Sequence, residues 1–402
     1  MDHNKYISNR RMLIILAFLS AFTPLSIDLY LPALPQMVEV FETTAARINL
    51  TLSLFFVSLS AGMLFFGPVS DKFGRKPVLF FGLALYTISS AFCAFSASVD
   101  TLIIARIFQA FGGGAATTIA TAIAKDLYSG EERARMLATI LAMVIIAPIV
   151  APLMGALVLQ FASWRTIFLI LTAAGVLAFI LVLPLPEPLT TRYRGSTIRS
   201  IGRLFAVLKN PSFSILLLLF SALSLPFMGY IAASSYIYIN TFGLSEGAFS
   251  FYFALNSVAA MAGPMVYIKI SRRVGSYSII TTSFLCLSIS GMFVVTIGHL
   301  APLIFAICLM PATLATTAMR SPSMNITLEQ HEGDAGSSSA LINFLGMLMG
   351  GVGVSAVFLP GDDLILSIGA MQLIIGIFDI NLYVSYTLIH YGVSIVGARS
   401  QK

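Results

Sequence analysis

The 402-residue sequence is poor in charge. Asp, Glu, Lys and Arg make up 10% of it, against about 25% in soluble domains, which excludes a water-soluble globular protein. Tryptophan occurs once and cysteine three times, at Cys93, Cys286 and Cys308. The cysteines sit inside apolar runs without disulfide or metal-ligand spacing, and read as small buried hydrophobes. The four histidines, His3, His299, His331 and His390, are scattered at ends and loops, so neither a metal nor another cofactor is expected. No G-x-x-x-x-G-K-[ST] phosphate loop is present, which removes ATP-driven pumping. No nucleophile–base spacing appears either, and an enzyme is not expected. The first apolar run is too long for a leader and lacks a small-residue cleavage site.

What is abundant is apolar surface: 58% of residues are hydrophobic and mean hydropathy is +0.93. A helix needs about 20 apolar residues to cross a bilayer. Twelve such runs are expected, roughly 12–34, 47–69, 77–98, 101–125, 135–160, 164–185, 212–238, 246–269, 277–298, 301–325, 335–359 and 363–388. The expected fold is an all-α membrane protein with a six-span bundle over 1–186, a polar linker over 187–211 and a second bundle over 212–402. A degraded repeat supports the halving: Gly263-Pro264 followed by Lys269, Arg272, Arg273 and Gly275 echoes Gly67-Pro68 followed by Lys72, Arg75 and Lys76. Placing both termini in the cytoplasm puts 20 of the 23 Lys and Arg on that side, as the positive-inside rule requires. Arg47 and Arg165 fall outside, and Arg106 falls within a span. The pI near 9.2 is therefore a topology signal and not evidence for nucleic acid.

Four stretches carry candidate chemistry. Gly67-Pro68-Val69-Ser70-Asp71-Lys72-Phe73-Gly74-Arg75-Lys76-Pro77 is an island of charge and turn residues between two spans, read as a tight hairpin. In it Gly74 permits a left-handed backbone, and Asp71 can pair with an Arg or accept from helix N-terminal amides. Asp28, in Leu25-Ser-Ile-Asp-Leu-Tyr30-Leu-Pro32-Ala-Leu-Pro35, is a carboxylate within span 1, where an ionised group costs about 2.5–3.5 kcal/mol at a helix centre and so normally serves function. Arg106 and Gln109 share one face of span 4 beside Gly112, Gly113 and Gly114, which permit close helix approach. A direct or water-bridged Asp28–Arg106 pair is expected. Pro148, Pro152 and Gly155 interrupt span 5 and suit a helix that bends while sealing against another. In the second half, Asn256, Asn343 and Asp379 are polar within spans; with Tyr30 and Gln109 they are the candidate substrate-cavity residues.

These stretches resemble the drug:proton antiporters of the major facilitator superfamily, and within it the Bcr/CflA subfamily. The match rests on D-x-Y-L-P-A-L-P from Asp28, G-P-x-S-D-x-x-G-R-K from Gly67, R-x-x-Q-A-x-G from Arg106, P-x-x-A-P-x-x-G from Pro148 and W-R-x-x-F from Trp164, in that order. Gly155-Ala156 stands where the family usually has Gly-Gly. The resemblance implies two six-helix bundles rocking about a central cavity in a bacterial inner membrane, as a monomer. Asp28 would exchange protons and Arg106 would modulate it. Gly67, Asp71, Gly74 and Arg75 would latch the outward-open state, with Pro148, Pro152 and Gly155 also gating. Partners would be protons, a small-molecule substrate and the lipid bilayer. The implied activity is export of chloramphenicol- or bicyclomycin-like amphipathic antibiotics in exchange for protons; the alternative is a dedicated carrier of a siderophore, nucleobase or amino acid.

Overall fold

Inside a bilayer each backbone N–H and C=O must be satisfied within the protein, and an apolar run does this by forming a helix. The computed structural model of the protein describes residues 9–189, 202, 206–330, 335–359, 361 and 363–399; most of the 187–211 linker lies outside them. Twelve helical spans are long and apolar enough to cross a membrane. They are Arg10–Val40, Ala45–Phe73, Arg75–Ala94, Val99–Leu127, Gly130–Phe161, Trp164–Val182, Pro211–Thr241, Glu246–Ile270, Ser276–Ile297, Pro302–Glu329, Ser338–Ala356 and Leu364–Leu388, hereafter spans 1 to 12.

Two spans are broken by their own sequence. Span 1 is α-helical over Asn9–Asp28, tightens to a 3-10 turn over Leu31–Ala33 and resumes over Leu34–Val40. Pro32 and Pro35 lack the N–H groups that the carbonyls of Asp28 and Leu31 would need, so the helix stops at Asp28. Span 7 runs Pro211–Ala222, Ser224–Ser235 and then a π-helical turn over Tyr236–Thr241.

The charged island is a correction to the hairpin reading. Span 2 continues as helix through Gly67, Pro68 and Asp71 to Phe73, and span 3 begins at Arg75. The connection is Gly74 alone, at φ +104°, a conformation that strains any residue with a Cβ. Polar residues at the bilayer edge can prolong a helix, and Pro68 is accommodated within it.

Packing repeats with an offset of six. In the first bundle span 1 packs on span 5, span 4 on spans 2 and 3, and span 3 on span 6; in the second, 7 packs on 11, 10 on 8 and 9, and 9 on 12. The bundles meet where span 2 lies on span 11 and span 5 on span 8. Polar contacts across this junction are Asn49 Nδ2 to Tyr236 Oη (3.0 Å), Ser53 Oγ to the Gly351 carbonyl (2.7 Å), Ser355 Oγ to Ser53 Oγ (2.8 Å) and Ser250 Oγ to the Pro152 carbonyl (2.9 Å), the last sharing its proton with the Glu246 carbonyl at 2.8 Å. All lie near the end remote from the start of span 1, here called the far end. Among the described residues the opposite, terminal end has no such cross-bundle bond.

At the far end of the second bundle His299 Nε2 meets Asp363 at 2.9 Å, and Asp363 Oδ1 accepts from the Leu366 N–H at 3.0 Å, capping span 12. Partial burial works to raise the Asp363 pKa, but the Leu366 amide and His299 outweigh it and hold the carboxyl below its ordinary value of 3.8. A depressed carboxyl stabilises the fold above its unfolded pKa, and that contribution is lost as pH falls through the folded value. Protection of the Leu366 amide, its exchange relative to the free-peptide rate at the same pH, is therefore expected to fall on acidification below about pH 4, and an Asp363→Asn variant to lose that dependence.

Candidate transport site

The break after Asp28 leaves the last carbonyls of the first helix without intrahelical partners. Arg106 supplies one: its Nη1 donates to the Ser26 carbonyl at 3.0 Å and to Gln109 Oε1 at 2.7 Å. Gln109 Nε2 in turn donates to Ser90 Oγ (2.8 Å), whose hydroxyl donates to the Tyr86 carbonyl (2.7 Å). Ser26 Oγ spends its proton on the Phe22 carbonyl, so in the 2.6 Å contact with Tyr86 the phenol is the donor. Thr51 spends its own on the Ile48 carbonyl, so Tyr30 donates to Thr51 Oγ1 at 2.8 Å. Spans 1, 3 and 4 are thus joined by one buried polar chain around a guanidinium, and a separate Tyr30–Thr51 bond ties span 1 to span 2.

Arg106 is fully buried, and among the described residues no carboxylate lies within 4.0 Å of it. The expected direct pair with Asp28 does not form in this structure. The cation faces aromatic rings instead: Phe55 at 4.1 Å, Tyr30 at 5.0 Å and Phe168 at 5.8 Å from ring centroid to guanidinium carbon. Each such contact is worth about 2 kcal/mol when desolvated. The negative end of the helix that stops at Asp28 adds to them, since cations are stabilised at helix C-termini. Nε and Nη2 still have no acceptor. Asp28 is also buried, 4% exposed, with no ion pair among the described residues.

Span 5 is fitted against this break. A Cβ on Gly155 would collide with the Leu29 carbonyl and reach Pro32 Cγ at 3.2 Å, so only glycine lets span 5 lie on the Asp28–Pro35 segment. Pro152 has no N–H for the Pro148 carbonyl; that carbonyl faces Ser257 Oγ of span 8 at 3.5 Å, in line with a role at the bundle junction.

The island residues form a separate knot inside the first bundle. Arg75 contacts Asp71 (2.6 Å), Asp126 (2.8 Å) and Ser70 Oγ (2.6 Å). The helix N-terminal amides of Arg75 and Lys76 go to Glu187, at 2.8 and 3.0 Å, and not to Asp71. A Cβ on Gly74 would sit 2.6 Å from Glu187 Oε2. Gly67 is less constrained, its added Cβ meeting only Thr118 Cγ2 at 3.7 Å. Arg75→Ala would strand two carboxylates and is expected to lower stability by about 1–3 kcal/mol; Lys72→Ala, at the exposed side of the knot, should change it by less than about 0.5 kcal/mol. Denaturation in detergent compares the two.

Within the second bundle, a cavity of about 170 Å³ lies toward the terminal end. Its walls come from spans 7, 10 and 11, and include Phe227, Met228, Arg320, Met324, Asn343 and Met347. Of the five expected cavity residues, Asn343 is on this wall. Tyr30 and Gln109 are off it, consumed by the Arg106 network. Asn256 is buried with Oδ1 unpartnered, and Asp379 is wholly buried with both carboxylate oxygens unpartnered, not solvated at an interface.

Sequence reasoning passed over three residues. Glu187 and Asp126 complete the Arg75 knot; the only available signal was an acid ending a span near a basic cluster. Arg320 was counted among the cytoplasmic flanks although it lies nine residues before the end of span 10.

The family model for the Major Facilitator Superfamily matches residues 16–354. The chain belongs to the major facilitator superfamily. A chloramphenicol resistance protein of Pseudomonas aeruginosa is 30% identical over 342 residues, 82% of this chain and 79% of its own. A bicyclomycin resistance protein homolog of Haemophilus influenzae is 26% identical over 285 residues, 70% and 71% of the two chains. Among solved superfamily structures, a bacterial homolog of the human lysosomal transporter Spinster in an inward-facing, occupied conformation aligns with TM-score 0.74 at 16% identity, over 93% of this chain and 96% of that one. The Escherichia coli xylose transporter XylE aligns at 0.70 and 13%, over 92% and 96%. This superfamily membership makes the chain a multi-pass membrane transporter.

Proposed function

We propose that the protein is a proton-coupled exporter of small amphipathic antibiotics, of the Bcr/CflA type, working as a monomer in the bacterial inner membrane. The observation that carries the coupling is Asp28: a buried carboxylate at a helix break, held by no cation among the described residues and therefore able to take up and release a proton. The names of the relatives at 26–30% identity support the drug class. A wall with Met228, Met324 and Met347 supports breadth, since thioether side chains repack around different shapes.

The terminal end is read as cytoplasmic from the Lys and Arg distribution, which makes the present state inward-open, closed at the far end by spans 2–11 and 5–8. Residues 1–186 and 212–402 would then rock as units, with 187–211 as their tether. The Arg75–Asp71–Asp126 knot is intact within the first bundle here; reaching across to the second would be its part in the outward-open state. Alternating access needs both ends to open in turn.

Reconstitution in proteoliposomes with an imposed pH gradient tests the reading. Added chloramphenicol or bicyclomycin is expected to accelerate dissipation of the gradient, reported by an internal pH dye. Drug movement that leaves the gradient untouched removes proton coupling; absence of movement for both drugs removes the antibiotic class.

A further inference from the structure

Among the described residues Arg320 is the one charged side chain on the cavity wall. It is exposed by surface area yet enclosed by a dense shell of protein atoms, the combination expected on the wall of a deep water-filled cleft. Span 10 carries it about 14 Å inside the helix end, nine residues at 1.5 Å each, within a helix long and apolar enough to cross a membrane, where a guanidinium is costly. Nothing nearby neutralises it: among the described residues no carboxylate lies within 4.0 Å. The other polar groups around the cavity, among them Ser221, Thr316, Ser323 and Asn343, are uncharged.

Arg106, also without a carboxylate partner, differs in having an aromatic box and a helix end. Arg320 has neither. A cation held at depth without a partner and open to a cavity is suited to an anion arriving from water. Guanidinium binds carboxylate through two parallel hydrogen bonds. Aromatic and methionine walls on either side suit an apolar body attached to that anion.

Building on the exporter reading, we propose that Arg320 is the charge anchor for cargo. The cavity accepts neutral amphipathic molecules such as the two antibiotics, holds isosteres carrying one negative group more tightly, and excludes cations of the same size. The carboxylate end would sit on Arg320 with Asn343 beside it, and the apolar body would lie against Phe227 and Met347.

Equilibrium binding to the detergent-solubilised protein tests this without a proton gradient, so a failure of antiport leaves the result readable. The probes are 1-naphthoate, 1-naphthamide and 1-naphthylmethylammonium at pH 7, read by isothermal titration. For the wild type, naphthoate is expected to bind about tenfold more tightly than the amide, which is about 1.4 kcal/mol, and the ammonium not to bind. In Arg320→Gln the acid–amide difference should shrink to within about twofold, and Arg320→Lys should retain part of it. Equal or tighter binding of the ammonium by the wild type, no saturable binding of naphthoate, or an undiminished acid preference in Arg320→Gln each overturns the proposal. The wild-type series decides by itself if a variant fails to fold.

Discussion

Asp28→Asn is expected to abolish concentrative transport and leave the protein folded and inserted. The substitution keeps the shape and removes the proton exchange. Asp28 is buried at the end of the first helix and no ion pair among the described residues depends on its charge. Removing an uncompensated buried charge does not strand a partner, so thermal stability should stay level or rise. With one proton exchanged per cargo molecule, a gradient of one pH unit supports about a tenfold accumulation ratio. The Asn variant should reach a ratio near one while still permitting downhill exchange. Accumulation ratios in proteoliposomes, with and without the gradient, measure this. Wild-type accumulation by Asp28→Asn would move the coupling role to Asp379, the other buried carboxylate without a partner among the described residues.

The second large effect is expected at Arg106, where stability and transport should part company. Its guanidinium is wholly buried, donates to the Ser26 carbonyl and Gln109, and leaves Nε and Nη2 unsatisfied. Relief of an uncompensated buried cation offsets the donor lost to the Ser26 carbonyl and Gln109, a loss of about 1–3 kcal/mol per stranded group. Arg106→Met should therefore unfold no more readily than the wild type and yet transport poorly. Its loss uncaps the helix that ends at Asp28 and removes the positive charge nearest to that helix end. Arg106→Lys keeps a charge but cannot hold Ser26 and Gln109 together, and should be less stable than Arg106→Met. Arg106 and Asp28 form no ion pair among the described residues, so a double-mutant cycle on stability should give a coupling energy well below the roughly 3–5 kcal/mol of a broken buried pair. A larger coupling energy would show a contact formed in another state, and normal transport by Arg106→Met would make the residue purely structural.

The spans were legible because a bilayer imposes one length and one composition on whatever crosses it. Their ends were less so: Gly67 to Phe73 contains Gly, Pro, Asp and Lys, all turn-like in water, yet stays helical as an extension of a long apolar helix. Asp28 stood out as a charge within a span, and Arg106 likewise. Their expected pairing did not follow, because sequence depth does not report the direction of a side chain, and Phe55 and Phe168 come from spans that no motif connects to Arg106. Glu187 is 112 residues from the Arg75 amide it caps, a contact without a local signature. Arg320 was hidden by the rule that reveals topology: a basic residue near a span end counts as a flank unless the cavity beside it is known.

Among the described residues, the hydrogen bonds that join the bundles involve no charged group. Asn49, Ser53, Tyr236, Ser250 and Ser355 close the far end with hydroxyls, an amide and backbone carbonyls. If that end faces the outside of the cell, it meets a medium whose acidity and salt content the cell does not control. Screening acts on ions, and neutral hydroxyls and amides do not titrate between pH 4 and 9. The outer closure should therefore hold equally in brackish, dilute, acidic or alkaline surroundings, while the charged knot of Arg75, Asp71 and Asp126 stays on the side whose composition is regulated. The division assigns weather-proofing to one face and responsiveness to the other.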